Sequence, residues 1–255
     1  MQLKTILLTV LVSIPRRYLC YNSYPVHVQS QRQKEGQGRT KRSFGTVEAL
    51  FDLLYLFSAL ILALILLFSS PGNSARMLAG IMALILVSGD TYHLLPRVIV
   101  IRTGREEQLR KALGTGKQVT SITMTLFYLL LWQIGVLVFS PKDISIWPYI
   151  IYILASVRIF LCMLPQNKWQ ERYPPVIWGI VRNIPFILQG AVVARLFFLH
   201  RSNVYGLGCT WLAIVLSFAF YLPVVVWANK NPKIGMLMLP KTCSYLWILA
   251  MCLSL

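Results

Sequence analysis

The sequence predicts an all-α polytopic integral membrane protein, a seven-transmembrane-helix bundle with the N-terminus cytoplasmic and the C-terminus outside. Three observations predict it. Hydrophobic residues occupy 56% of the 255 positions and charged residues only 13%, far from the balance of soluble chains. Seven apolar windows, at about 47–69, 75–97, 118–139, 145–164, 175–198, 205–228 and 234–255, each reach the roughly 20 residues that a spanning helix needs. The basic residues, finally, are sorted among the connections.

That sorting sets the orientation and places the net charge of +17. Eighteen Lys and Arg lie in 1–46, 97–117, 165–174 and 229–233, whereas the alternate connections hold only Arg76, Lys142 and Arg201. Basic loops stay in the cytoplasm. The same excess suits anionic lipid, and no aromatic-interleaved basic motif points to nucleic acid, so none is expected as a partner.

Residues 1–46 read as a basic, unfolded cytoplasmic tail ahead of a membrane domain at 47–255. "QSQRQKEGQGRTKRS" is polar throughout and buries too little to fold. "TILLTVLVSI" has the basic start of a signal peptide, but "PRRYLC" follows where small residues mark cleavage. The segment reads as uncleaved, or as a start assigned upstream of the true one.

Each window then contributes polar groups. The first stacks Glu48, Asp52 and Tyr55 on one helical face, and the second, in "ALILVSGDTYHLLPRV", stacks Asp90, His93 and Arg97. "LGTGKQVT" before the third lacks the first Gly and the Ser or Thr of a phosphate loop and reads as a loop ending in a helix start. Within the third window, Ser121, Thr123 and Tyr128 suit hydrogen bonds between helices. The fourth holds Arg158, the fifth Arg182 and Asn183, the sixth Tyr221, and the seventh Lys241, Ser244 and Tyr245. No cysteine forms a CxxC pair, and the five read as packing residues.

Counting from the cytoplasmic end at about 1.5 Å per residue, Asp52, Asp90, Arg158, Arg182, Tyr221 and Lys241 fall in one layer about 10 Å deep. A lipid-facing charge costs about 2.5–3.5 kcal/mol, so these faces point inward, with Asp90 and His93 in salt-bridge reach of Arg158, Arg182 or Lys241. Pro96, Pro185, Pro223 and Pro240 mark the same depth and free backbone carbonyls there. Two carboxylates face three cations, and a bound anion balances the remainder. Three cations oppose a divalent metal, and neither a metal nor a cofactor is expected.

"SGDTYHLLPR", "KQVTSITMTLFYLLLW" and "MLMLPKTCSYLWIL" together resemble an uncharacterised family of bacterial multi-pass membrane proteins over residues 47–255. The resemblance implies the fold and a bacterial plasma-membrane location, and no activity. The Gly89–Asp90 pair is similar to a pattern in the lysoplasmalogenase family of membrane hydrolases, over one helix only, and that family's His-containing motif is absent from the next helix. This admits a lipid-hydrolase reading. Lys241 in the seventh helix also resembles the Schiff-base lysine of retinal proteins, with Asp90 as counter-ion, but it sits in the cytoplasmic third, and the third window has no acidic residue to match.

Together these features predict a cytoplasm-facing intramembrane pocket for an anionic lipid or other amphipathic small molecule. In an enzyme, Asp90 and His93 are the acid–base pair, and Asp52, Tyr55, Arg97, Arg158, Arg182, Asn183, Tyr221, Lys241 and Tyr245 bind the ligand. In a proton-coupled transporter or a sensor the same residues form the binding site, although no repeat relates the halves. A purely structural ion-pair layer is the third reading.

Overall fold

The computed structural model describes residues 34–142, 145–171, 174–228 and 231–255, with only the backbone described for 34–44 and Pro232. All regular structure among them is helical: α1 (Lys34–Phe68), α2 (Ser74–Thr103), α3 (Glu106–Phe139), α4 (Trp147–Met163), α5 (Val176–Leu199), α6 (Thr210–Trp227) and α7 (Met238–Met251). Short 3₁₀ turns occupy Pro165–Asn167, Pro232–Leu237 and Cys252–Ser254. Lys41–Leu255 forms one compact unit.

Six of these segments are long and apolar enough to cross a membrane: Gly45–Phe68, Ser74–Thr103, Glu106–Phe139, Val176–Leu199, Thr210–Trp227 and Lys233–Ser254. The last joins a 3₁₀ turn, α7 and a final 3₁₀ turn. The fourth sequence window yields α4, an apolar helix of only 17 residues, about 25 Å long. Length and composition are those of a multi-pass membrane protein.

Capping explains where the helices stop. Asn73 Oδ1 accepts from the Arg76 N–H at 3.0 Å to open α2. Gly104, in the left-handed region at φ 71°, closes it with its N–H on the Val100 carbonyl at 2.8 Å. Glu106 and Glu107 then begin α3, placing negative charge at the helix N-terminus.

Two expectations are corrected here. The 97–117 connection is helix rather than loop, because α2 and α3 run on to the Gly104–Arg105 turn. At 30 and 34 residues they reach about 45 and 51 Å, well beyond the roughly 30 Å hydrocarbon core. A hydropathy window measures length suited to lipid, and a helix continues past it wherever propensity and a neighbour support it.

"LGTGKQVT" lies inside α3, and its glycines serve contact rather than a turn. A Cβ on Gly114 would lie 2.6 Å from the Trp169 carbonyl oxygen, and one on Gly116 would lie 2.3 Å from that of Tyr92. Pro96 has no N–H to give the Tyr92 carbonyl four residues back, and Gly116 packs against that freed group. α1 starts at Lys34 and runs through residue 46; residues 1–33 of the expected tail, with Cys20, lie outside the described residues.

The helices pack antiparallel in chain order. Along α1 and α2, Gly45 meets Ile101, Glu48 pairs with Arg97, Tyr55 bonds Asp90 and Leu67 fills the space beside Gly80. Small residues permit this approach. Ala59 and Ala63 on α1 and Ala79 and Ala83 on α2 are fully buried, in the four-residue spacing that brings helix backbones together in lipid. At the far end from the α2–α3 turn, the Asn73 amide and the Arg76 guanidinium donate to the Leu255 and Leu253 carbonyls, each at 3.0 Å.

Candidate functional site

Of the residues counted to one depth, Asp52, Asp90, Arg158 and Lys241 are buried. Tyr55 on α1 donates to Asp90 Oδ2 on α2 at 2.6 Å. Tyr128 on α3 and Ser217 on α6 share a hydrogen bond of 2.9 Å. Tyr221 on α6 donates to Asn183 Oδ1 on α5 at 3.0 Å, and the Asn183 amide donates to the Gly179 carbonyl at 2.8 Å. Aromatic rings tie these pairs together. Tyr128 and Phe186 meet edge to face with centroids 5.2 Å apart, Phe186 and Tyr221 at 6.1 Å, and Phe127 and Tyr245 at 5.5 Å.

Arg158 is the largest of the fully buried side chains, only 2% exposed. Its guanidinium carbon lies 3.2 Å above the Phe186 ring, and its Nε and Nη1 have no hydrogen-bond partner. Lys241 is 6% exposed, with Nζ 4.6 Å from the Tyr221 ring centre and 5.1 Å from that of Tyr245. Ring faces carry partial negative charge, so both cations rest on aromatics rather than on carboxylates.

The expected salt bridges are not formed among the described residues. Arg97–Glu48, Arg110–Glu107 and Lys168–Glu171 form ion pairs, none of which involves Asp90, His93, Arg158, Arg182 or Lys241. Asp90 takes its close bond from the Tyr55 hydroxyl, and the field of Lys241 reaches it from farther off. Depth and helical face group residues by height along each helix. Which side chain comes within 4 Å depends on rotation about each helix axis, and on that the tyrosine was closer.

Other sequence candidates lie at the margin. Arg97 is half-exposed in its pair with Glu48, next to buried Asp52, whose Oδ2 has no hydrogen-bond partner. His93 Nδ1 is buried without one as well, so Asp90, one turn away, does not orient the imidazole through that nitrogen. Arg182 donates to Asn167 Oδ1 at 2.8 Å and lies 4.1 Å over the Trp169 ring. Ser121 and Thr123 bond carbonyls of their own helix, Lys117 and Thr120; α3 side chains that cross to other helices include Thr120, to the Gly89 carbonyl at 2.8 Å, Tyr128, to Ser217, Gln118, to the Cys162 carbonyl at 3.3 Å, and Gln133, to the Tyr152 hydroxyl. Cys162 and Cys252 are buried and Cys209 and Cys243 exposed, all four as free thiols.

Phe186, Ser217, Asn167 and Trp169 were missed in the sequence. One signal could have found Phe186: it follows Pro185 and lies within four residues of Arg182 and Asn183, on the face already assigned to the layer. Chemically, the layer offers unsatisfied guanidinium donors, a lysine between two tyrosines, and a carboxylate held by a hydroxyl. No group of three or more His, Cys, Asp or Glu side chains among the described residues is arranged to hold a metal ion.

No protein-family model matches the chain, and neither a curated protein nor a solved structure does.

Proposed function

We propose that the chain is a seven-helix plasma-membrane protein, N-terminus cytoplasmic and C-terminus outside, that binds an anionic or amphipathic small molecule in the layer around Arg158 and Lys241. The orientation rests on the distribution of basic residues, and the count of seven takes α4 as a short span.

The observation that carries the binding reading is Arg158. Removing a guanidinium from water costs several kcal/mol unless its donors are paired, yet two of its nitrogens are unpaired and no carboxylate among the described residues is in ion-pair reach. An anion there supplies both the acceptors and the charge. Access involves parting α5 and α6, where Pro185 and Pro223 each remove one backbone hydrogen bond.

The geometry favours binding over hydrolysis. Asp90 is engaged by Tyr55 and His93 Nδ1 has no partner, which weighs against an Asp90–His93 acid–base pair. Our reading is therefore a transporter or sensor built on the layer.

Native mass spectrometry of the purified full chain tests this. An anionic species is expected on wild type and is lost from Arg158→Leu, while lipids in reconstituted vesicles are not turned over. Equal retention by the variant would remove Arg158 from the site; lipid turnover abolished by Asp90→Asn would restore the hydrolase.

A further inference from the structure

The end of the bundle away from the α2–α3 turn holds a second group of cations that the polar layer does not use. A half-open cleft of about 350 Å³ lies there between α3, α4 and α5, with Trp132, Lys142, Trp147, Arg195, Leu199 and His200 in its lining. Among the described residues, no carboxylate lines it.

Its parts are positioned. The Arg195 guanidinium lies 4.3 Å over the Trp147 ring, a stack that restricts a long side chain before any ligand arrives. His200 lies flat on Phe139, with centroids 5.1 Å and planes 11° apart. Its Nδ1 is 3.0 Å from the Leu196 carbonyl, so Nδ1 carries the proton and Nε2 is left free. The other arginines at this end each donate to a carbonyl, Arg76 to Leu253 and Arg201 to Phe198, both at 3.0 Å, with the Arg76 Nε left buried and unbonded. Neither Arg195 nor Lys142 takes part in an ion pair with a described residue.

Depth points to the ligand. Arg195 sits one turn before α5 ends at Leu199, and Leu199 is among the large exposed apolar residues. The cleft therefore straddles the boundary between apolar and polar surroundings, with a tryptophan pair of the kind enriched at that level. A lone arginine there would need only to reach water. A concavity with two cations, a stacked guanidinium and aliphatic walls is a fuller arrangement, and basic pockets between spanning helices take lipid headgroups.

We infer that this cleft binds the phosphodiester headgroup of an anionic glycerophospholipid. Arg195 presents its planar fork to two phosphate oxygens, Lys142 supplies the second positive charge, and Val192, Leu196 and Leu199 meet the first methylenes of the acyl chains.

Phosphatidylglycerol titrated onto the full chain in detergent, followed by native mass spectrometry, tests the inference. Each variant is made both in wild type and in Arg158→Leu, so that any lipid held by the polar layer is separated. Arg195→Gln is expected to weaken binding by about tenfold, the worth of a charge-assisted bond pair. Lys142→Gln and Trp147→Leu weaken it less, and Arg201→Gln leaves it unchanged. Millimolar inorganic phosphate does not displace the lipid. Unchanged binding in both Arg195→Gln and Lys142→Gln would overturn the site, as would an equal loss in Arg201→Gln, which marks unspecific surface charge. Displacement by inorganic phosphate would overturn the lipid as its occupant.

Discussion

The Tyr55 hydroxyl donates to Asp90 Oδ2 at 2.6 Å across the α1–α2 contact, with the two residues 2% and 7% exposed. In lipid surroundings no water stands in for a lost donor. Tyr55→Phe is therefore expected to destabilise the protein by about 1–3 kcal/mol, seen as a lowered melting temperature in detergent. Adding Asp90→Leu removes the stranded carboxylate and should recover most of the loss. A silent Tyr55→Phe would mean that Asp90 has a second donor.

Lys241 behaves differently if its charge exists for a ligand. Lys241→Met keeps length and apolar contact with Tyr221 and Tyr245 and removes a buried charge that has no ion pair. The melting temperature of ligand-free protein should equal or exceed that of wild type, while stabilisation by a co-purifying anion disappears. An unfolded Lys241→Met rescued by Asp90→Leu would identify a helix clamp instead.

Two glycines predict opposite signs. Gly116→Ala places a Cβ 2.3 Å from the Tyr92 carbonyl oxygen and 2.9 Å from the His93 Cα. Backbone atoms cannot swing aside, so α2 and α3 must separate, at about 1–3 kcal/mol. Gly179→Ala meets nothing nearer than 3.8 Å and gains about 1 kcal/mol of helix propensity. Thermal melts of the two variants side by side decide the matter, and equal shifts would contradict the close packing of α3 on α2.

The orientation is tested by cysteine labelling in sealed vesicles. With eighteen basic residues on one set of connections against three on the other, 100–117 and 229–233 are expected to label from inside and 140–144 from outside. Labelling of 229–233 from the exterior would invert the bundle, and with it the leaflet from which each site is reached.

How much was legible varies by residue for physical reasons. Asp52, Asp90, Arg158, Asn183 and Lys241 stood out because the sequence around them is apolar, and a polar side chain in such a run has to be buried. All five are buried. Arg97 was counted with them, yet it pairs with Glu48 at the half-exposed margin, since a position near a helix end can turn toward either layer or surface. Gly114 and Gly116 looked like a turn because glycine permits both a bend and a close approach, and only the neighbouring helix distinguishes the two.

The sequence by itself determined the apolar, multi-pass character of the chain and the positions of the apolar segments, with buried polar residues among them. Those follow from transfer free energy and from a helix rise of about 1.5 Å per residue, both local properties of the chain. The tertiary structure decided who touches whom: a tyrosine rather than a cation on Asp90, an aromatic face beneath Arg158, and Trp147 beneath Arg195 on the opposite side of the bundle. Helical periodicity states which residues share a face, but the rotation of each helix and its distance from the next come from side-chain packing among all of them at once.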